Sequence, residues 1–298
     1  MLQIAKFSMN GPMQALLSVF IFSALSVWVA PLGILAGAII ALVTLRVSVT
    51  EGFKALVWGV AVHIAVIVMM TGSYLPGIIS IFEYMIPVWL MSVVLRQTNS
   101  LATALQFAMI IAGLGLIGFY LMVPSPAEWW LNLFNLHLAP MLQESGMEYQ
   151  PEVIEKAVEL VTMFMASFVV VLWFSILVVG RWWQSELYNP GQFKADFHQL
   201  RLPKSTAYTA IVLAVLGLGL GDGQGIIYDL SGVMIVGLMI QGISIAHHTV
   251  AVRQLHTAWL VGLYILLALF PQMMLILATI GLVDTWVDFR NRWEKEEL

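Results

Sequence analysis

Apolar residues run along this chain in blocks of roughly 18–25, the length at which a helix crosses the hydrocarbon of a bilayer, and polar residues collect between the blocks. The blocks fall near residues 13–30, 31–48, 54–71, 74–95, 101–122, 157–180, 207–221 and 226–249, with a last one over 257–285. A transmembrane barrel would instead show strands of about ten residues with alternating polarity, and no segment alternates that way. The pattern predicts an all-α polytopic transmembrane bundle of about 8–10 spans.

Composition narrows the function classes. Of 298 residues, 60% are hydrophobic and only 10% charged, whereas a soluble domain carries about a quarter charged residues. The lipid bilayer is therefore the first partner, and no room is left for a separate soluble domain. A net charge of −4 supplies no concentrated basic face, which excludes nucleic acid as a partner. The absence of cysteine removes disulfides, thiolate chemistry, iron–sulfur clusters and cysteine zinc sites. No cofactor or metal is expected. The first span is expected to be retained, because Pro31 leads straight into a second apolar run and not into a cleavage site with a polar mature region.

Lys and Arg predict the orientation, since cytoplasmic loops carry the excess of them. Lys6, Arg46 with Lys54, Arg96, the Arg181–Lys204 group and Arg253 lie at every second boundary. The connections Gly72–Tyr74 and Gly221–Gly225 carry none, and 123–155 carries five glutamates, from Glu128 to Glu155. The N-terminus is expected to be cytoplasmic, in a bacterial inner membrane, with 123–155 outside. At the end of the chain, one long kinked span over 257–285 would place Arg290, Arg292 and Lys295 outside. A fold-back at Pro271 satisfies the charges better, at the expense of two short helices of about 14 residues, or ~21 Å each.

The organisation suggests three parts: a six-span bundle over 1–180, a cytoplasmic connection over 181–206, and further membrane helices with a short tail over 207–298. No internal repeat is evident. Gly113-Leu114-Gly115-Leu116-Ile117-Gly118 matches a dinucleotide fingerprint, but it lies inside a span without the strand that the fingerprint needs. Its plainer reading, like that of Gly33 with Gly37, is a face where helices pack closely. Gly221-Asp222-Gly223-Gln224-Gly225 has too few carboxylates for a calcium loop and is expected to make a tight external turn.

Ionisable groups at membrane depth are functional candidates by default. Glu83 lies midway along its span with Pro87 four residues on, and a proline leaves the carbonyl at i−4 without its helical donor. His63, midway along the preceding span, lies at a similar depth, so the two side chains are expected to meet. A structural hydrogen bond is the plainer reading of the pair, and a ligand or proton site the sharper one. Asp229 and Gln241 complete the candidate ligand set. Headgroup-level placement is the plainer reading for Asp229, and interhelical bonding for Gln241. The adjacent His247 and His248 point about 100° apart and make no shared metal face. They are expected to meet water or lipid phosphate.

The connection is rich in aromatic and basic residues. Trp182, Trp183 and Tyr188 suit a membrane interface, and Asn189-Pro190-Gly191 reads as a turn. Phe193, Phe197 and Leu200 form the apolar stripe of a short amphipathic helix, with Arg201 close by. These residues are candidate contacts for the inner leaflet or for a docked protein. Outside, Trp129 and Trp130 head a second such element.

The run RWWQSELYNPGQFKADFHQLRLP, together with Gly281-Leu282-Val283-Asp284-Thr285-Trp286-Val287-Asp288-Phe289-Arg290, resembles the YybS-like family of bacterial inner-membrane proteins. More distantly, the chain is similar to the substrate-binding S components of energy-coupling-factor vitamin transporters. These are six-span bundles with both termini cytoplasmic, and 1–180 has that shape. Glu83 with its Pro87 kink, His63 and the polar residues of 226–249 support, as the leading reading, a non-enzymatic membrane protein that binds, or helps transport, a small or amphipathic ligand in a helical cavity. The alternative is an assembly or scaffold factor docking membrane or cytoplasmic proteins through 181–204 and the C-terminal tail. A lipid enzyme ranks third, because no catalytic constellation is visible. No ATP-binding loop is present, so active transport would need a partner ATPase or an ion gradient.

Overall fold

The computed structural model describes residues 1–219 and 225–290, and every regular element among them is helical. The order begins α1 (Leu2–Ser8), α2 (Pro12–Leu25), α3 (Leu32–Arg46), α4 (Val49–Thr71), α5 (Leu75–Ser80), a π-helical turn Ile81–Met85, α6 (Ile86–Thr98) and α7 (Leu101–Met122). It continues through α8 (Pro126–Leu133), a second π-helical turn Phe134–Leu138, α9 (Ala139–Glu144), α10 (Pro151–Tyr188) and α11 (Gln192–His198). It closes with α12 (Lys204–Gly219), α13 (Ile226–Val252), α14 (Ala258–Leu269) and α15 (Gln272–Val287).

Five of these helical segments are long and apolar enough to cross a membrane: α4, the continuous α5–π–α6 segment, α7, α10 and α13. The protein is an all-α, polytopic helical membrane protein. The remaining apolar runs form shorter helices: α2, α3, α12, α14 and α15. Local chemistry sets the ends. Ser48 caps α4 by accepting the Glu51 N–H at 3.1 Å. Gly72 closes the same helix with φ +70°, a conformation that glycine adopts without strain. Asn99 closes α6 in the left-handed region with φ +52°.

The chain divides into two compact units. The first comprises Met1–Ala108 with Val171–Arg201. Its centre is the crossing of α3 with the second half of α10. A Cβ on Gly37 would lie 2.7 Å from Ile176 Cγ2, and one on Gly180 would lie 2.8 Å from Ala41 Cβ and 2.9 Å from the Ala38 carbonyl. The expectation that Gly37 marks a packing face agrees with this contact. The second unit comprises Met109–Val170 with the chain from Leu202 onward. Here α15 lies on α13 at backbone distance: a Cβ on Gly242 would meet the Leu277 carbonyl at 2.1 Å, and one on Gly281 the Leu238 carbonyl at 2.1 Å.

Contacts advance together along α13 and α15, from the cavity shared by Tyr228–Val236 and Pro271–Leu275 to the Ser244–Arg290 pair. The two helices are therefore parallel. Between them α14 runs back, with Tyr264 Oη 2.9 Å from His247 Nε2. The chain reverses at Pro271, as the terminal charges suggest.

Several expectations change. The helix α10 runs past Gly180 through Tyr188, 38 residues in all and ~57 Å at 1.5 Å per residue. Trp182, Trp183 and Tyr188 thus belong to the last turns of a helix and not to a connecting loop. The contact units also cut the chain elsewhere than at 180 and 206. The glycines of the fingerprint-like run divide: a Cβ on Gly113 would lie 3.4 Å from Leu230 Cδ2, whereas one on Gly115 or Gly118 would meet nothing within 4 Å. Those two are not packing glycines. Gly221-Asp222-Gly223-Gln224, Arg292 and Lys295 lie outside the described residues.

Candidate functional site

In the first unit the candidate site is built on the π-helical turn between α5 and α6. Pro87 carries no amide hydrogen, so the Glu83 carbonyl lacks the donor that an α-helix would supply. The indole Nε1–H of Trp173, on α10, donates to that carbonyl. The sequence-level argument for a freed carbonyl at Glu83 thus has a concrete outcome, and Trp173 is the residue it did not identify. π-Helical turns of this kind recur at functional positions in helices.

The expected pairing of His63 with Glu83 is not formed. His63 is 4% exposed, while Glu83 is exposed. Consecutive helical residues point about 100° apart, and it is Tyr84 that takes the inward direction. Its ring meets that of His63 edge-on, with centroids 6.5 Å apart. Directing Tyr84 inward turns Glu83 out.

The polar surroundings of His63 come from α2 and the turn that follows it. Nδ1 lies 3.2 Å from the Ser23 carbonyl and 3.4 Å from Ser26 Oγ. Ser26 Oγ itself donates to the Ser23 carbonyl at 2.8 Å. A carbonyl only accepts, so this geometry places the imidazole hydrogen on Nδ1 and leaves the lone pair on Nε2. That Nε2 and Ser23 Oγ are buried without a hydrogen-bond partner among the described residues, and the Tyr84 hydroxyl, also buried, faces Ser26. Gly33 makes room for the phenol: a Cβ there would lie 3.1 Å from Tyr84 Oη.

The second unit holds the other two sequence candidates apart from each other. Asp229, in the first turn of α13, is 1% exposed. It is buried within the protein: the Tyr120 hydroxyl donates to its Oδ2 at 2.7 Å, and its Oδ1 has no hydrogen-bond partner among the described residues.

Gln241 is fully buried at the crossing of α13 and α15. Its Oε1 accepts the Leu202 N–H at 2.8 Å, and its Nε2 donates to the Gly281 carbonyl at 2.9 Å and to Asp284 Oδ2 at 3.2 Å. Asp284 Oδ1 accepts the Phe289 N–H at 3.0 Å, and Oδ2 lies 3.6 Å from Arg290 Nη2. Every heavy atom of the amide has a partner, so this cluster joins three chain segments rather than offering a binding surface. In the sequence Asp284 stands out only as part of a family-like motif, and Arg290 only there and among the terminal charges. Their signal was the placement of both charges just after an apolar run, seven and thirteen residues past Leu277.

His247 and His248 also differ from expectation: His248 is 7% exposed and His247 bonds Tyr264.

The connection is more internal than its composition suggests. Trp183 is fully buried, and Leu200 and Leu202 are 1% and 2% exposed. Trp182 and Arg201 are half-buried, and the Tyr188 ring carries the Arg46 guanidinium 4.0 Å above it. Ser185 Oγ accepts the Phe193 N–H and donates to the Asn189 carbonyl, both at 2.9 Å, which fixes the Asn189-Pro190-Gly191 turn. Phe193 and Phe197 are half-buried and stack on each other, with centroids 5.8 Å apart. Leu200 is a core residue and not part of a membrane-facing stripe. Among the described residues no group of three or more His, Cys, Asp or Glu side chains is arranged to hold a metal ion.

No curated protein and no solved structure gives a significant match to the chain. A family model does match, over residues 15–285, and by that match this chain belongs to the membrane-protein family described as "Predicted membrane protein (DUF2232)".

Proposed function

We propose that this integral membrane protein binds, without chemical conversion, a small polar or amphipathic molecule at the π-helical turn of the α5–α6 span, as part of its uptake or handling. The observation that carries the reading is the buried lone pair of His63 Nε2, without a hydrogen-bond partner among the described residues, with the buried Tyr84 ring set edge-on to it. A buried acceptor left unmade costs about 1–3 kcal/mol. A molecule presenting an N–H or O–H to Nε2 and an acceptor to Tyr84 would recover that energy. The resemblance of 1–180 to the S components of vitamin transporters, read from the sequence alone, points the same way. In this reading the protein resides in a bacterial inner membrane with its N-terminus cytoplasmic.

The test is mass spectrometry of small molecules that copurify with the wild-type protein, H63A and Y84F. The expected result is one species, near stoichiometric with wild type and reduced at least tenfold in both variants. Purified, folded wild-type protein carrying no such species would overturn the reading. The Y84F variant keeps the ring packing and so separates ligand loss from misfolding. The docking alternative has less to stand on, because Trp183, Leu200 and Leu202 are committed to the interior.

A further inference from the structure

A second polar site lies in the first unit, away from His63. Leu45, Leu95, Arg96, Asn99, Arg181 and Gln184 line a cavity of about 240 Å³. Pockets for drug-sized ligands run to about 300–1,000 Å³, so this one suits a compact group. Two guanidinium groups face it, and each is held in place from behind.

Arg96 closes the C-terminus of α3. Its Nη1 donates to the carbonyls of Thr44 at 2.8 Å and Leu45 at 2.9 Å, and its Nη2 donates to that of Val47 at 3.1 Å. These are the carbonyls that a helix end leaves without partners. Arg181 is held by Asp196, through Nε at 3.1 Å and Nη2 at 2.5 Å, and by Gln184 Oε1, through Nη1 at 2.5 Å. Gln184 Nε2 in turn donates to the Leu45 carbonyl at 3.3 Å.

A guanidinium has five N–H donors. Each arginine uses three of them in these bonds, which leaves two on each. The charges do not cancel. Asp196 offsets Arg181, whereas the partners of Arg96 among the described residues are neutral carbonyls, and Arg46 adds a further positive charge at the end of α3. A cavity with a net positive charge and two pre-positioned forks is selective for an oxyanion, because guanidinium groups match its oxygens in pairs. Gln184 and Asn99 add side-chain amides at the rim.

We propose that this cavity binds a phosphate group, with Arg96 and Arg181 as its ligands. The end of the bundle that carries Arg46, Arg96 and Arg181 is the one that the Lys/Arg distribution assigns to the cytoplasmic leaflet. There the phosphate can belong to an anionic lipid headgroup or to a soluble phosphate. The proposal does not depend on the His63 reading, and shares no residue with it.

The test uses the full-length protein in neutral detergent. Phosphatidylglycerol, phosphatidylcholine of the same acyl chains, and inorganic phosphate are titrated separately, with native mass spectrometry for the lipids and calorimetry for the ion. Arg96→Gln removes a ligand but also uncaps α3, so it risks misfolding. Asn99→Asp is the cleaner variant: it places a carboxylate at the cavity rim, at an exposed left-handed position that Asp tolerates as Asn does, and leaves every bond of both arginines in place. Wild-type protein should bind phosphatidylglycerol or inorganic phosphate at least tenfold more tightly than Asn99→Asp. Binding of the lipid alone assigns the phosphate to a headgroup, and binding of inorganic phosphate with the same variant sensitivity assigns it to a soluble source. Absence of binding by both probes, or equal affinity in wild type and Asn99→Asp, overturns the proposal.

Discussion

The crossing of α13 with α15 allows one substitution to separate two opposed physical effects. Gly281→Ala adds one methyl group in a helix. Helix propensity alone favours the change by about 1 kcal/mol. The structure opposes it, because the new Cβ would stand 2.1 Å from the Leu238 carbonyl oxygen and 3.1 Å from the Gly242 nitrogen. Carbon–oxygen contacts across helices settle near 3.3–3.6 Å, so the pair must open by roughly 1.2 Å. That is enough to stretch the Gln241–Gly281 and Gln241–Asp284 bonds, now 2.9 and 3.2 Å, past hydrogen-bonding distance.

Two interhelical bonds in a membrane interior are worth together about 1–3 kcal/mol, and overpacking adds about another 1–3. Set against the propensity gain, the net destabilisation is on the order of 1–5 kcal/mol. Gly115→Ala is the internal control, since nothing lies within 4 Å of its added Cβ. It should leave stability unchanged or raise it by up to about 1 kcal/mol. Reversible unfolding in mixed micelles, followed by tryptophan fluorescence, measures both. The reasoning fails if the two alanines shift the midpoint in the same direction, or if Gly281→Ala is neutral.

Other consequences can be read from single bonds. Gln241→Leu should lower stability by about 2–4 kcal/mol in the same assay, because it leaves the Leu202 N–H without its acceptor and takes the amide donor from the Gly281 carbonyl and Asp284. Trp173→Phe should destabilise by about 1–3 kcal/mol by orphaning the Glu83 carbonyl. Adding Pro87→Ala should recover part of that loss, and strict additivity in the double-mutant cycle would count against the bond. In inside-out vesicles the Phe193→Ser/Phe197→Ser double variant should become cleavable at exposed Lys194 while the bond after Arg201 stays resistant, since Leu200 and Leu202 anchor that stretch; rapid cutting at both sites in wild type would refute it. Reporter fusions after Arg96, Asn189 and Leu298 should all read cytoplasmic, and an outside signal at Leu298 would contradict an inner-membrane hairpin that reverses at Pro271.

What hydropathy could and could not disclose follows from what it measures. Transfer from water to hydrocarbon is a property of a segment's composition, so α4, α7 and α13 stand out within a few residues of their ends. It says little about which way a side chain faces, because lipid tails and a helical core are both apolar and no contrast marks the buried side. Depth alone therefore put Glu83 beside His63, when one residue's rotation gives the place to Tyr84. In a membrane bundle azimuth is carried by rarer signals: small residues where backbones touch, and polar side chains that find partners in another helix. Gly242, Gly281, Gln241 and Asp284 lie on a single seam by that logic, and the motif containing Gly281 and Asp284 was visible before its purpose was. Tyr120 gave no such signal, since a tyrosine near a span end reads as an interfacial anchor until Asp229 is seen to accept its hydrogen bond. Intramembrane polar residues thus divide by how completely they are partnered. The amide of Gln241 has every bond it needs and holds helices together. The imidazole of His63 has one nitrogen committed and one without a partner among the described residues, and it is there that a bound molecule should be sought first.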